Sequence, residues 1–160
     1  MNSNNINQMV AIDNFTQFNE NSEVKEAFLD NSHRWLKHKF ELHDEDCFKI
    51  EKSKLRAPFN VYFYDGPHSY EDTKMSLTHY DDVLDNIFIL VVDDWQEKPI
   101  QDGLKDAIKE LNYKEHYEIS LHGKGGNNSK EKIDSVPYYE HWRDEYWQGQ
   151  YVAILEKQNQ

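Results

Sequence analysis

Two short runs constrain this chain more than anything else in it. Val61-Tyr-Phe-Tyr-Asp65 and Ile87-Phe-Ile-Leu-Val-Val-Asp93-Asp94 are apolar, rich in β-branched and aromatic residues, and each stops abruptly in carboxylates. A run of that kind reads as a strand buried on both faces, and its charged end has to emerge from the core. Side by side, two such strands put Asp65, Asp93 and Asp94 on one rim of a sheet, with His68 in the loop beside them. In open α/β sheets, the crevice beyond the carboxyl ends of the strands is where ligands bind.

The flanking segments alternate in type. Met9-Val-Ala-Ile-Asp13 repeats the acid-terminated strand pattern in miniature, after a polar start at residues 1–8 that reads as disordered. Residues 22–38 have apolar positions at helical spacing (Val24, Ala27, Phe28, Trp35), with Ser22 available as a cap. Phe40-Glu-Leu is a weak strand leading into Asp44-Glu45-Asp46-Cys47, and residues 51–58 read as a charged linker. Ser69 with Asp72 three residues on resembles a capping box, and the helix it opens takes Leu77, Tyr80, Val83, Leu84 and Ile87 as its apolar face. Pro99 suits the first turn of a further helix bearing Leu104, Ala107, Ile108 and Leu111. Residues 113–121 alternate as a half-exposed strand, 123–129 form a flexible loop, and Tyr151-Val-Ala-Ile-Leu155 is the last strand. Strand and helix alternation implies a mostly parallel sheet with helices on both faces. The last two strands have no helix between them and should close as an antiparallel hairpin. The expected organisation is one domain over residues 1–160, with 122–149 as an irregular insertion.

Charge and cysteine content narrow the function classes. Thirty acidic residues face 18 basic ones, a formal charge of −12. That excess argues against non-specific binding to nucleic acid or to an anionic membrane surface. It suits a protein that handles a neutral or cationic small molecule, or a divalent cation. Cys47 is the only cysteine, which excludes an internal disulfide and a thiolate zinc cluster. No stretch is long and apolar enough for a transmembrane helix, and the N-terminus has no signal-peptide pattern. The expected location is the cytoplasm.

The string Tyr64-Asp65-Gly66-Pro67-His68-Ser69-Tyr70-Glu71-Asp72, followed by Val92-Asp93-Asp94-Trp95, resembles the class I S-adenosylmethionine-dependent methyltransferases. Within them it is most similar to the group whose fourth strand ends in Asp-Gly-x-His-x-Tyr and whose fifth ends in Asp-Asp. Ala11-Ile12-Asp13-Asn14-Phe15 resembles that group's second strand. The resemblance runs from about residue 9 to 157, specific over 61–95 and loose after 120. It implies a Rossmann-like methyltransferase sheet, S-adenosylmethionine as cofactor, and methyl transfer to a small-molecule hydroxyl, on a sugar or other secondary metabolite. One departure is large. The family's first strand and its glycine-rich loop, which cradles the methionine part of the cofactor, have no counterpart here. The sheet therefore reads as N-terminally truncated, with a gap between the strands at 9–13 and 61–65. Such a gap implies a homodimer, a complementing polypeptide, or a non-catalytic remnant.

Each candidate residue has a functional and a plainer reading. The resemblance gives Asp13 the ribose hydroxyls; otherwise it is a solvated strand end. It sets Asp46 and Cys47 near the adenine; otherwise they form an acidic turn, Cys47 serving as packing. Asp65, Asp93 and Asp94 have the oxygen chemistry of a Mg²⁺ site. Such an ion would hold an acceptor hydroxyl and lower its pKa, and related Asp-Asp strand ends serve hydroxylation-type chemistry. Without an ion, one carboxylate caps the next helix and the others face water. His68 suits a general base toward the acceptor hydroxyl, or an orienting partner for Asp65. Trp95 and Tyr70 flank the same rim and either stack on the cofactor or belong to the core. Tyr138, Tyr139, Trp142, Tyr146 and Trp147 are candidates for gripping a sugar ring or for a packed lid.

Overall fold

The computed structural model describes residues 8–16, 23–36, 39–122 and 148–158. They fall in two compact units, Met1–Arg56 and Ala57–Gln160. The loop expected at 123–129, the aromatic cluster at 138–147 and the Ser22 cap lie outside the described residues.

In the first unit, β1 (Val10–Ile12) and β2 (Glu41–His43) pair in parallel, Ala11 opposite Leu42. The ladder extends through Glu41 N–H to the Met9 carbonyl and Asp13 N–H to the His43 carbonyl. Helix α1 (Glu23–Trp35) connects them and sets Phe28 between the rings of Phe15 and Phe40, each centroid at 5.6 Å. The apolar stripe expected on α1 is only partly used. Phe28 packs, whereas Trp35 is 74% exposed and Val24 is also exposed. A three-residue strand pair offers too little surface to cover a four-turn helix face.

The second unit is a four-stranded sheet in the order β3-β4-β6-β5, formed by β3 (Phe59–Tyr64), β4 (Leu84–Asp93), β5 (Tyr113–Leu121) and β6 (Gln150–Lys157). β3 and β4 are parallel; β6 runs antiparallel to both β4 and β5. Three strands thus share one direction, and the expected terminal hairpin is present. Helices α2 (Tyr70–Tyr80) and α3 (Lys98–Glu110) are the two crossovers. Ser69 Oγ accepts from the Asp72 N–H at 3.0 Å, as the capping-box pattern implies, and Pro99 lies in the first turn of α3.

Burial shows which face is covered. Phe88, Leu90 and Val92 of β4 and Tyr151, Ala153 and Leu155 of β6 form one core with Leu77 of α2 and Ile100, Leu104, Ala107 and Ile108 of α3. Both helices therefore lie on the same face. They approach closely at Gly103, where a β-carbon would come within 2.4 Å of the Tyr70 carbonyl oxygen. The alternate residues of the strands are the open ones: Val61, Phe63, Ile87, Ile89, Tyr117 and Ile119 are all exposed. The expectation of helices on both faces is corrected for this sheet. Among the described residues of the unit, only one face carries them. A continuous apolar run signals two apolar faces, and it does not say whether both are covered.

One boundary also differs. α2 ends at Tyr80; Asp81–Val83 form a single 3-10 turn, and β4 begins at Leu84. Val83, Leu84 and Ile87, spaced as a helix face, belong to that turn and strand. The Lys157 ammonium donates to the carbonyls of Asp81 and Leu84, and the Tyr113 hydroxyl donates to the Asp81 carboxylate. These tertiary contacts satisfy the junction and let the chain leave the helix early.

Candidate functional site at the ends of β3 and β4

The loop after β3 is set by the last residue of the strand. Tyr64 is buried, and its hydroxyl donates to the Pro67 carbonyl at 2.8 Å, folding the chain back over its own ring. Gly66 sits against that ring, where a β-carbon would lie 2.6 Å from Cε2. Glycine at position 66 is thus needed for close approach, and the turn delivers His68 to the mouth of the sheet just ahead of the Ser69 cap.

The loop after β4 meets it. Asp94 takes a left-handed backbone conformation, φ 52°. Trp95 and Gln96 N–H groups then donate to the Gly149 and Gln148 carbonyls, tying this loop to the start of β6. His68 Nε2 lies 2.8 Å from Asp94 Oδ2, and Nδ1 lies 3.2 Å from Glu97 Oε1. A protonated imidazole donates to both carboxylates at once. One donor atom each from Asp65, His68 and Asp94 lie within 4.8 Å of one another. Burial holds the Asp94 carboxyl above its usual range; His68 pulls it back, and Asp93, Asp65 and Glu97 add to the rise.

The expected rim residues separate in detail. Asp65, His68 and Asp94 come together. Asp93 pairs with Gln150 in the β4–β6 ladder, and strand alternation sends its side chain to the open face with Ile89 and Val91. Glu97 went unrecognised in the sequence. It stands at the N-cap of α3 and makes no cap bond with its side chain, which reaches His68 instead. Its position two residues before Pro99 was the available signal.

Trp95 is a core residue. Its ring is 5% exposed and stacks on Tyr151 at 4.3 Å, and its indole N–H donates to Ser120 Oγ at 3.0 Å. Burying so large an apolar ring outweighs leaving it at the rim, and this is the core placement that the sequence offered beside cofactor stacking. Tyr70 likewise turns to α3, its hydroxyl donating to Asp106 at 2.6 Å.

Asp13, Asp46 and Cys47 belong to the first unit. Asp13 Oδ1 accepts from the Phe15 N–H at 2.7 Å. Asp46 accepts from the Phe48 N–H at 2.9 Å and pairs with Lys49 at 2.8 Å, which holds its carboxyl below the usual range. Both are turn-forming carboxylates, as Asp often is at strand ends. Cys47 lies half-buried in the same turn.

A divalent ion and S-adenosylmethionine fit these residues unequally. Cis ligands of an octahedral ion with ~2.1 Å bonds lie roughly 3 Å apart and trans ligands roughly 4 Å; His68 Nε2 and Asp94 Oδ2 are 2.8 Å apart, and the donor atoms of Asp65, His68 and Asp94 lie within 4.8 Å of one another. The two carboxylates suit Mg²⁺ or Mn²⁺, whereas the imidazole suits a transition-metal ion better than Mg²⁺. For S-adenosylmethionine, strand-end carboxylates are present but a methionine cradle is not among the described residues. Gly66 answers to the Tyr64 ring, Gly103 to the α2 backbone, and Gly149 to its φ of 82° and the Leu121 carbonyl. No family model matches the chain, and no curated protein matches it in sequence. No helix among the described residues is long and apolar enough to cross a membrane.

Proposed function

We propose that this chain is an S-adenosylmethionine-dependent methyltransferase-type domain acting on a small-molecule hydroxyl, with its acceptor side at the ends of β3 and β4. The observation that carries the reading is the convergence of Asp65, His68 and Asp94 beyond the carboxyl ends of two adjacent parallel strands, where α/β sheets bind ligands. The sequence strings at 64–72 and 92–95 give that convergence its chemical direction.

In this reading, His68 is the group that takes the acceptor's proton. Glu97 would hold the Nδ1–H, and the acceptor hydroxyl would replace Asp94 at Nε2, give its proton to that nitrogen, and leave Asp94 beside the imidazolium that forms. A divalent ion, when bound, would be held by Asp65, Asp94 and His68 and would supply acidity to a hydroxyl. The imidazole serves as either metal ligand or base, so metal and base roles for His68 are alternatives. The bound cofactor would supply the methyl group, and alignment of the two substrates is the protein's main contribution.

The test is a calorimetric titration of the full chain with S-adenosylmethionine, with and without Mn²⁺. Heat and thermal protection at millimolar ligand, weakened at least tenfold by Asp13→Ala, support the reading; no heat and no protection overturn it. A second reading is favoured by the structural duties of Gly66, Gly103 and Gly149. In it the chain is non-catalytic or is completed by another polypeptide. Mn²⁺ binding at the rim without any cofactor binding would select it.

A further inference from the structure

His68 reaches the rim with its ring already engaged from behind. Among the described residues, Asp65, His68 and Asp94 can each offer one atom to a shared ion, and Glu97 stands outside that donor set. Glu97 Oε1 nevertheless lies 3.2 Å from His68 Nδ1, while Asp94 Oδ2 lies 2.8 Å from Nε2 on the other side of the ring. Nε2 is thus the nitrogen that faces the donor set, and Nδ1 is turned back to Glu97. The residue at an N-cap ordinarily gives its side chain to the first N–H groups of its helix. Glu97 holds that position on α3, makes no cap bond, and turns to the imidazole instead. The side chains of Asp94 and Glu97 are only 15% and 21% exposed, so neither contact is an open surface ion pair.

That arrangement bears on which ion the rim takes. Mg²⁺ sheds its water reluctantly and is held through one or two carboxylates with waters retained, which Asp65 and Asp94 supply without help from the imidazole. An imidazole nitrogen is instead a ligand for the later first-row ions. A carboxylate behind the other ring nitrogen fixes the tautomer, holds the ring in orientation and strengthens it as a ligand. We infer that Glu97 is a positioning residue which, through His68, makes this rim bind a later first-row transition-metal ion such as Co²⁺ or Zn²⁺ in preference to Mg²⁺. Asp65, His68 and Asp94 are then three protein ligands, the number that leaves a further position open at catalytic sites of such ions. The inference rests on the ion-binding part of the proposed function and needs no S-adenosylmethionine. Of the two alternatives for His68, it selects the ligand.

The experiment titrates the full chain, without cofactor, with Co²⁺, Zn²⁺ and Mg²⁺ separately by calorimetry. Long-range ¹H–¹⁵N NMR of the histidine rings follows the addition of Zn²⁺. The parent should bind Co²⁺ about tenfold or more tightly than Mg²⁺, and Zn²⁺ should move the His68 Nε2 resonance while the Nδ1–H stays on Glu97. The chain has eight histidines, so His68→Ala assigns the site and must abolish the preference for Co²⁺. Glu97→Ala should weaken Co²⁺ by about 10–100-fold and leave Mg²⁺ within about twofold. Its metal-free circular dichroism should match the parent's, since the side chain makes no cap bond. Glu97→Gln keeps an acceptor without the charge and should fall between the two; if the alanine variant does not fold, the glutamine variant decides by the same Co²⁺-to-Mg²⁺ ratio. Equal weakening of both ions, an unmoved Nε2 resonance, or the parent's ratio in the Glu97 or His68 variants overturns the inference. No ion bound by the parent overturns it together with the metal part of the proposed function, whereas binding that ignores Glu97 overturns this inference alone.

Discussion

Replacing Gly66 by alanine tests how the loop bearing His68 is built. The added β-carbon would lie 2.6, 2.8 and 2.9 Å from Cε2, Cζ and Oη of Tyr64. Tyr64 is 6% exposed and cannot swing into solvent without leaving the core. Overpacking of that kind costs about 1–3 kcal/mol. Displacing the ring also breaks the 2.8 Å bond from the Tyr64 hydroxyl to the Pro67 carbonyl, adding about 0.5–1.5 kcal/mol. Gly66→Ala should therefore destabilise the second unit by about 3 kcal/mol, which at an m-value near 1.5 kcal/mol/M lowers the urea midpoint by about 2 M. Tyr64→Phe, losing only the hydroxyl, should cost about 1 kcal/mol. Tyr64→Val should cost about 2–3 kcal/mol as a core truncation. In the Tyr64→Val/Gly66→Ala double variant the clash has no ring to meet. The pair should then be less destabilised than the sum by about 2 kcal/mol, the signature of direct coupling. Urea unfolding followed at the Trp95 indole N–H resonance reads this unit directly, since that N–H is held by Ser120. Additivity within about 0.5 kcal/mol would refute the claim that the Tyr64 ring dictates glycine at position 66.

Two further outcomes are expected. Asp94 has its folded pKa raised, first by burial, so its contribution to stability is full below the unfolded value of 3.8 and is lost as pH rises through the folded pKa. Asp94→Asn removes that loss; its melting temperature relative to the parent, measured with chelator present, should rise between acid and neutral pH, and a flat difference would refute the assignment. Phe88→Ala empties the fully buried centre of the sheet and should cost about 3–5 kcal/mol in chemical unfolding, whereas Ile87→Ala next to it on the open face should cost under about 1 kcal/mol.

Periodicity and end signals by themselves determined most of the element order. The apolar runs ending in Asp65 and Asp93, the Ser69–Asp72 box and Pro99 are local signals, because strand alternation, capping and proline's fixed φ act over a few residues. The pairing of β5 with β6 followed from the lack of a helical pattern between them. The convergence of Asp65 with His68 and Asp94 was legible for the same reason: residues at adjacent strand ends share a rim. Tertiary structure alone decided the rest. Trp95 went to the core since burying its ring against Tyr151 gains more than leaving it at the mouth. Glu97 turned to His68 because a second loop brought the imidazole within reach of an N-cap position. Whether the alternate residues of β3 and β4 are covered depends on which face the crossover helices choose. An apolar pattern records only that a face avoids water, and the burial of that face is settled by what packs on it.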